Sequence, residues 1–179
     1  MSKASGYSLW LVPDVESDVY HALARCIAEI ARRKQTSVFV PHVTLVGGIS
    51  GDQNVWEKTQ TLAALLSPYK LRLGDIGSHG MYFRMLFSKI ELTQTLLRVN
   101  AFAQYFFSVY GERYFPHLSL AYGNFSPGEV AELKDYLTNP NRIPFRIVGM
   151  EFLVRAVQLW HTEGEVDKWC KVASFPVVR

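Results

Sequence analysis

The chain is expected to fold as an α+β protein, and three observations predict it. Short aromatic and β-branched strands alternate with amphipathic helices, no stretch rich in Gly, Pro or Ser divides the chain, and one six-residue pattern occurs twice. The 179 residues are enough for one hydrophobic core shared by two lobes, so 1–179 is read as a single two-lobed domain.

The elements follow from local pattern. Gly6 to Val12 is aromatic and branched, stops at Pro13, and predicts a strand. Asp14 to Lys34 carries Val19, Tyr20, Leu23, Ile27 and Ile30 at spacings of three and four, with Arg32, Arg33 and Lys34 at the negative helix end. A strand is expected over Val38 to Val46, closed by Gly47 and Gly48, and a helix over Asp52 to Leu66, stopped by Pro68. Leu71 to Ile76 and Met81 to Ile90 read as strands around a Gly77-Ser78-His79-Gly80 turn, and Leu92 to Tyr110 as a helix. Phe115 to Tyr122 is a further strand closed by Gly123. Ser126-Pro127-Gly128-Glu129 combines a capping box with proline at the first helical position, so a helix begins there and runs to about Asn139. Ile143 to Trp160 and Trp169 to Val177 supply the last strands.

Composition narrows the class of function. Apolar residues make up 49% and charged residues 20%, a globular balance without the signature of disorder. A net charge of +3 suits a small anion and falls short of a surface that coats nucleic acid, so no stable nucleic-acid binding is expected. No apolar run approaches a membrane span, and Pro13 and Asp14 interrupt any signal-peptide core after Lys3. The expectation is a cytoplasmic monomer, with the nucleus as a second compartment. Cys26 and Cys170 lack metal-ligand spacing and read as buried thiols, with a pairing between them left open.

The repeated pattern carries the chemistry. Val40-Pro41-His42-Val43-Thr44-Leu45 and Phe115-Pro116-His117-Leu118-Ser119-Leu120 share the order apolar-Pro-His-apolar-hydroxyl-Leu, each in a strand leading to glycine and then a helix. Side chains alternate on a strand, so His42 and Thr44 share one face while Val43 and Leu45 share the other, and likewise in the second copy. If the two strands face a common cleft, two imidazoles and two hydroxyls converge. A phosphate diester needs such a set: a base for water, an acid for the departing oxygen, and donors for the phosphoryl oxygens. Histidine alone has an ordinary pKa that lets neutral and protonated forms coexist near pH 7. His21, His79 and His161 do not repeat the pattern. A metal site is disfavoured because no carboxylate or cysteine stands at ligand spacing beside either histidine, and no Gly-x-Ser-x-Gly elbow appears. Neither a metal nor another cofactor is expected.

With these motifs the sequence resembles the 2H phosphoesterases, and within them the plant- and fungal-type cyclic phosphodiesterases of tRNA splicing. The resemblance extends to Tyr7-Ser8-Leu9-Trp10-Leu11-Val12-Pro13-Asp14, to Met81-Tyr82-Phe83-Arg84-Met85-Leu86-Phe87 and to Trp169-Cys170-Lys171-Val172. It implies a bilobal, pseudo-twofold fold in which two antiparallel sheets line a central cleft with helices outside. It also implies metal-independent hydrolysis of ADP-ribose 1″,2″-cyclic phosphate to ADP-ribose 1″-phosphate and of nucleoside 2′,3′-cyclic phosphates to 2′-phosphates. His42 and His117 would be the catalytic pair, with Thr44 and Ser119 binding phosphate. Family analogy has His117 activate water and His42 protonate the leaving oxygen.

The resemblance further places Tyr122 and Trp169 in the substrate site. Tyr122 lies an odd step from His117, so it reaches the cleft only if the strand bends, which Gly123 permits. Phe83 would stack on a base or Arg84 meet a diphosphate, and the residues alone leave that choice open. Two alternatives stand beside this reading: a 2H enzyme acting on RNA ends, as a 2′-5′ ligase or 3′ exonuclease, and a non-catalytic nucleotide-binding module.

Overall fold

The computed structural model describes residues 4–51, 54–111 and 113–178. The first half of the chain runs β1 (Tyr7–Leu11), α1 (Asp18–Lys34), β2 (Val43–Ile49) and α2 (Val55–Ala64). After β3 (Tyr69–Gly77) the same order returns as β4 (Leu86–Ile90), α3 (Gln94–Phe107), β5 (His117–Ala121) and α4 (Pro127–Thr138). Then come β6 (Glu151–Val154), β7 (Ala156–His161) and, past a short 3-10 turn at Val166–Lys168, β8 (Cys170–Pro176).

All strand pairs are antiparallel, in the order β6-β3-β4-β5-β2-β1-β7-β8. The eight strands form one sheet, whose two four-stranded halves meet at the centre through the single pair Val43 and Leu118 of β2 and β5. The strands that follow the βαβα units cross over: β3, after the first unit, joins β4 of the second, while β6 and β7 follow the second unit, β6 joining β3 and β7 joining β1 of the first. This is the pseudo-twofold α+β arrangement expected, except that the two sheets are joined through β2 and β5 into one. Only Arg155 separates β6 from β7, yet they lie near opposite ends of the strand order. The sheet must therefore curl, and the curl makes the cleft.

The helices exchange in the same way. α1 packs on β5 and α3 on β2, while α2 packs on β7 and β8 and α4 on β3. One apolar core accordingly runs through both halves, from Leu9 and Leu45 to Phe107 and Leu118. Capping fixes the helix starts: Ser17 and Thr93 accept from the amides of Tyr20 and Leu96. At α4 the capping box forms reciprocally between Ser126 and Glu129, with Pro127 at the first turn. Ser126→Ala is expected to lower stability by about 1 kcal/mol, read as a shift in the denaturant midpoint at unchanged slope.

Several boundaries differ from the sequence expectation. α1 begins at Asp18, because Asp14 to Ser17 forms a turn closed by the Ser17 amide on the Asp14 carbonyl. β2 starts only at Val43 and continues through Gly47 and Gly48, which were expected to close it. Pro41 has no amide to give a ladder, and shifts in register against β1 absorb the glycines. The strand expected from Met81 is a turn over 81–84, closed by the Arg84 amide on the Met81 carbonyl, so β4 begins at Leu86. In the span from Ile143 to Trp160 the strands begin only at Glu151, as β6 and β7, which serve opposite ends of the sheet. Asp52 and Gln53, expected to open α2, and Lys3 lie outside the described residues. Both cysteines are free, but only Cys26 is buried, its thiol pushed up to about 12 by desolvation; Cys170 is exposed. Among the described residues no helix is long and apolar enough to cross a membrane.

Candidate active site

Each motif histidine is held in the same way. The Nδ1 of His42 lies 2.6 Å from the Val40 carbonyl oxygen and that of His117 lies 2.9 Å from the Phe115 carbonyl oxygen, in both cases two residues back. A carbonyl only accepts, so Nδ1 carries the proton in both rings and Nε2 is the working nitrogen. The matched prolines explain this geometry. A residue before proline is confined to extended backbone and proline fixes the next φ, which turns the carbonyl under the ring that follows.

An aromatic from the neighbouring strand backs each ring. Trp10, paired with Thr44 across β1 and β2, stacks on His42 with centroids 3.5 Å apart and planes within 6°. Trp160 stacks on the other side of Trp10 at 4.2 Å. In the second half Phe87, paired with Ser119 across β4 and β5, meets His117 edge-on at 5.3 Å. The better-covered ring is the more desolvated. His42 is 4% exposed and burial pushes its pKa down to about 3, with His117 adding to the effect. Burial lowers His117 as well, helped by the positive charge of Arg84 and by His79.

Both motif strands carry a register shift just beyond the hydroxyl residue, at Leu45 in β2 and at Leu120 in β5. The extra residue reverses the alternation that follows. That is why Tyr122, an odd step from His117, lies in the cleft. It is buried, its hydroxyl bonds the Ser119 side chain, and burial raises its pKa. The backbone turns away at Gly123 (φ +151), whose amide bonds the Tyr82 carbonyl. The Ser119 hydroxyl donates to the Phe83 carbonyl at 3.3 Å, and Tyr114 braces β2 by donating to the Thr44 carbonyl at 3.0 Å.

The result is one cavity of about 380 Å³ lined by His42, Thr44, His117, Ser119, Tyr122, Trp169, Phe83 and Arg84. Every residue nominated from sequence thus meets here. Phe83 and Arg84, consecutive in the chain, both reach it because they sit in a turn rather than a strand. Tyr122, Phe83 and Trp169 form an aromatic wall, with Tyr122 and Trp169 centroids 5.9 Å apart. The buried Trp169 indole N–H has no hydrogen-bond partner among the described residues. Sequence reasoning missed Trp10, Ser8 and Thr162, which also line the cavity. Larger cavities of about 490 and 630 Å³ open around Arg146 and contain no histidine. Among the described residues no group of three or more His, Cys, Asp or Glu side chains is placed to hold a metal ion.

Comparison with known proteins decides the family. The family model described as cyclic phosphodiesterase-like protein matches residues 5–177. The chain belongs to the cyclic phosphodiesterase-like family. It is thereby a 2H phosphoesterase, and phosphodiester chemistry is the activity of its class. No curated protein matches it by sequence. Among solved structures, TT0787 of Thermus thermophilus superposes with a TM-score of 0.65 at 16% identity, covering 96% of this chain and 97% of that one. E. coli LigT in its apo form gives 0.61 at 11% identity, covering 99% and 100%. At such identities these structures show a shared fold, and the cyclic phosphodiesterase-like assignment rests on the family match.

Proposed function

We propose that this cyclic phosphodiesterase-like protein opens cyclic phosphodiesters by metal-independent hydrolysis between His42 and His117. The observation that carries the reading is the pair of imidazoles anchored through Nδ1, each with a hydroxyl two residues on, in one cavity. In a nucleoside 2′,3′-cyclic phosphate, water oxygen bonds to phosphorus and the P–O3′ bond breaks. One neutral Nε2 takes the water proton, the other imidazolium gives its proton to O3′, and the product is the 2′-phosphate. In ADP-ribose 1″,2″-cyclic phosphate the P–O2″ bond breaks in the same way, leaving the 1″-phosphate. Thr44 and Ser119 hold the phosphoryl oxygens, and the aromatic wall stacks on a base. Trp169 offers its N–H to a substrate acceptor, and Arg84 faces further phosphate charge. The fold relative LigT is known in complex with 3′-AMP, a nucleotide monophosphate. The substrate is a small molecule, the enzyme works as a monomer without a cofactor, and its compartment is the cytoplasm.

The difference in burial between the two histidines supports an allotment of their roles. An arriving phosphate anion raises both imidazoles, but the more deeply buried His42 is the harder to protonate. His117 therefore carries the proton to the leaving oxygen and His42 activates water, the reverse of the allocation that family analogy gives. The leaving group tests this. 1,2-Phenylene phosphate releases a phenolic oxygen that needs little protonation, so His117→Ala is expected to lose far less activity on it than on adenosine 2′,3′-cyclic phosphate. His42→Ala should lose similarly on both. The opposite pattern restores the family allocation, and full activity of both variants on both substrates ends the two-histidine reading.

A further inference from the structure

The cavity is lopsided where the two halves are otherwise matched. Counting from the motif histidines, Tyr122 in the second half corresponds to Gly47 in the first, and both follow the register shift of their strand. Tyr122 fills its side with an aromatic ring, while Gly47 leaves its side open. The open side is walled by two hydroxyls from distant strands. Ser8 of β1 and Thr162, just after β7, are 7% and 2% exposed, and their oxygens lie 3.0 Å apart. Thr162 also donates to the Gly6 carbonyl at 3.3 Å. A Cβ added at Gly47 would stand 3.1 Å from the Ser8 oxygen.

Bonded to each other and to the Gly6 carbonyl, the two hydroxyls add little stability over an alanine and a valine in their place. The pair is also a reversible relay. With the protons running Ser8 to Thr162 to Gly6, Ser8 presents lone pairs to the cavity; with Thr162 donating to Ser8, it presents a proton. A group that both donates and accepts suits either state, and a sugar hydroxyl is such a group. Bases have fixed edges and a flat apolar face, and belong on the aromatic wall opposite.

We propose that Ser8 and Thr162, in the space Gly47 leaves open, form a subsite for the free hydroxyl of the sugar that bears the cyclic phosphate. The subsite rests on the cyclic phosphodiesterase reading and decides which cyclic phosphates are preferred. It takes the 5′-hydroxyl of a nucleoside 2′,3′-cyclic phosphate.

The test compares kcat/KM for adenosine 2′,3′-cyclic phosphate and its 5′-deoxy analogue in the wild type, Ser8→Ala, Thr162→Val and Gly47→Ala. The wild type is expected to prefer the hydroxyl-bearing substrate by roughly three- to tenfold, the worth of one neutral hydrogen bond. Each variant should bring that preference close to one, mainly through KM, and Ser8→Ala and Thr162→Val should turn over the 5′-deoxy analogue like the wild type. Gly47→Ala keeps both hydroxyls and sets a methyl 3.1 Å from the Ser8 oxygen and 3.6 Å from the Thr44 methyl, so it reads the subsite through the ratio of the two substrates even if Thr162→Val fails to fold. A preference unchanged in the folded variants, or equal losses on both substrates, overturns the subsite and leaves the enzyme reading intact. Absence of turnover of either substrate by the wild type removes the enzyme reading and the subsite together.

Discussion

His42→Ala and His117→Ala are each expected to lower kcat/KM for adenosine 2′,3′-cyclic phosphate by roughly 10²–10⁴-fold, the usual worth of one general acid or base. The double variant should fall little further than the weaker single one, because acid and base act on one transition state. His42 fills a stacked, nearly closed position against Trp10, so alanine there leaves a void. His42→Gln keeps more of the volume and should be as inactive, which separates chemistry from packing. Folding is checked by circular dichroism and thermal unfolding. Substantial activity in the double variant contradicts the proposed mechanism outright.

Stability should fall steeply with acid, and earlier than carboxylates alone would allow. In the folded chain burial holds the pKa of His42 down to about 3, against an ordinary histidine value of 6.5. The unfolded chain therefore binds this proton first, so the stabilisation is fully present above pH 6.5 and is lost as pH falls towards 3. His117 shifts in the same direction, again because of burial. The full effect of His42 is on the order of 5 kcal/mol, from about 1.36 kcal/mol per unit. Glu29 and Glu129, held down to about 2 by hydrogen bonds from Arg32 and Arg33 and from Ser126 and Lys34, contribute only below their ordinary value of 4.5. The window from pH 6.5 to 4.5 thus belongs to the histidines. Denaturant unfolding at about pH 7, 6 and 5 should show the loss in the wild type, and His42→Gln should flatten it. An equal slope in that variant means the buried imidazole is not its source.

Much of the site was legible in the sequence because strand alternation is strict over three residues. His42 with Thr44 and His117 with Ser119 needed only that rule. It does not extend beyond the hydroxyls, since the register shifts at Leu45 and Leu120 depend on pairing with β1 and β4. Tyr122 was therefore recoverable only from the resemblance. The prolines were visible as a matched pair, but their part in presenting the Val40 and Phe115 carbonyls needed the structure. Ser8 and Trp10 share a face of β1 by parity, yet nothing local says that this face meets Thr44 rather than the core. Thr162 is further removed still, because β7 reaches β1 only through the crossover that pairs the two halves. The 81–84 turn was read as a strand because its aromatics mimic one; the hydrogen bond from the Arg84 amide to the Met81 carbonyl decides against it.

In the proposed mechanism side chains alone supply the acid, the base and the phosphate donors. The most direct test is the side-by-side turnover of ADP-ribose 1″,2″-cyclic phosphate and the four nucleoside 2′,3′-cyclic phosphates in excess chelator, with products identified by phosphorus NMR. Undiminished turnover to the 1″-phosphate and the 2′-phosphates is expected. Activity that disappears with chelator and returns with an added divalent metal contradicts it.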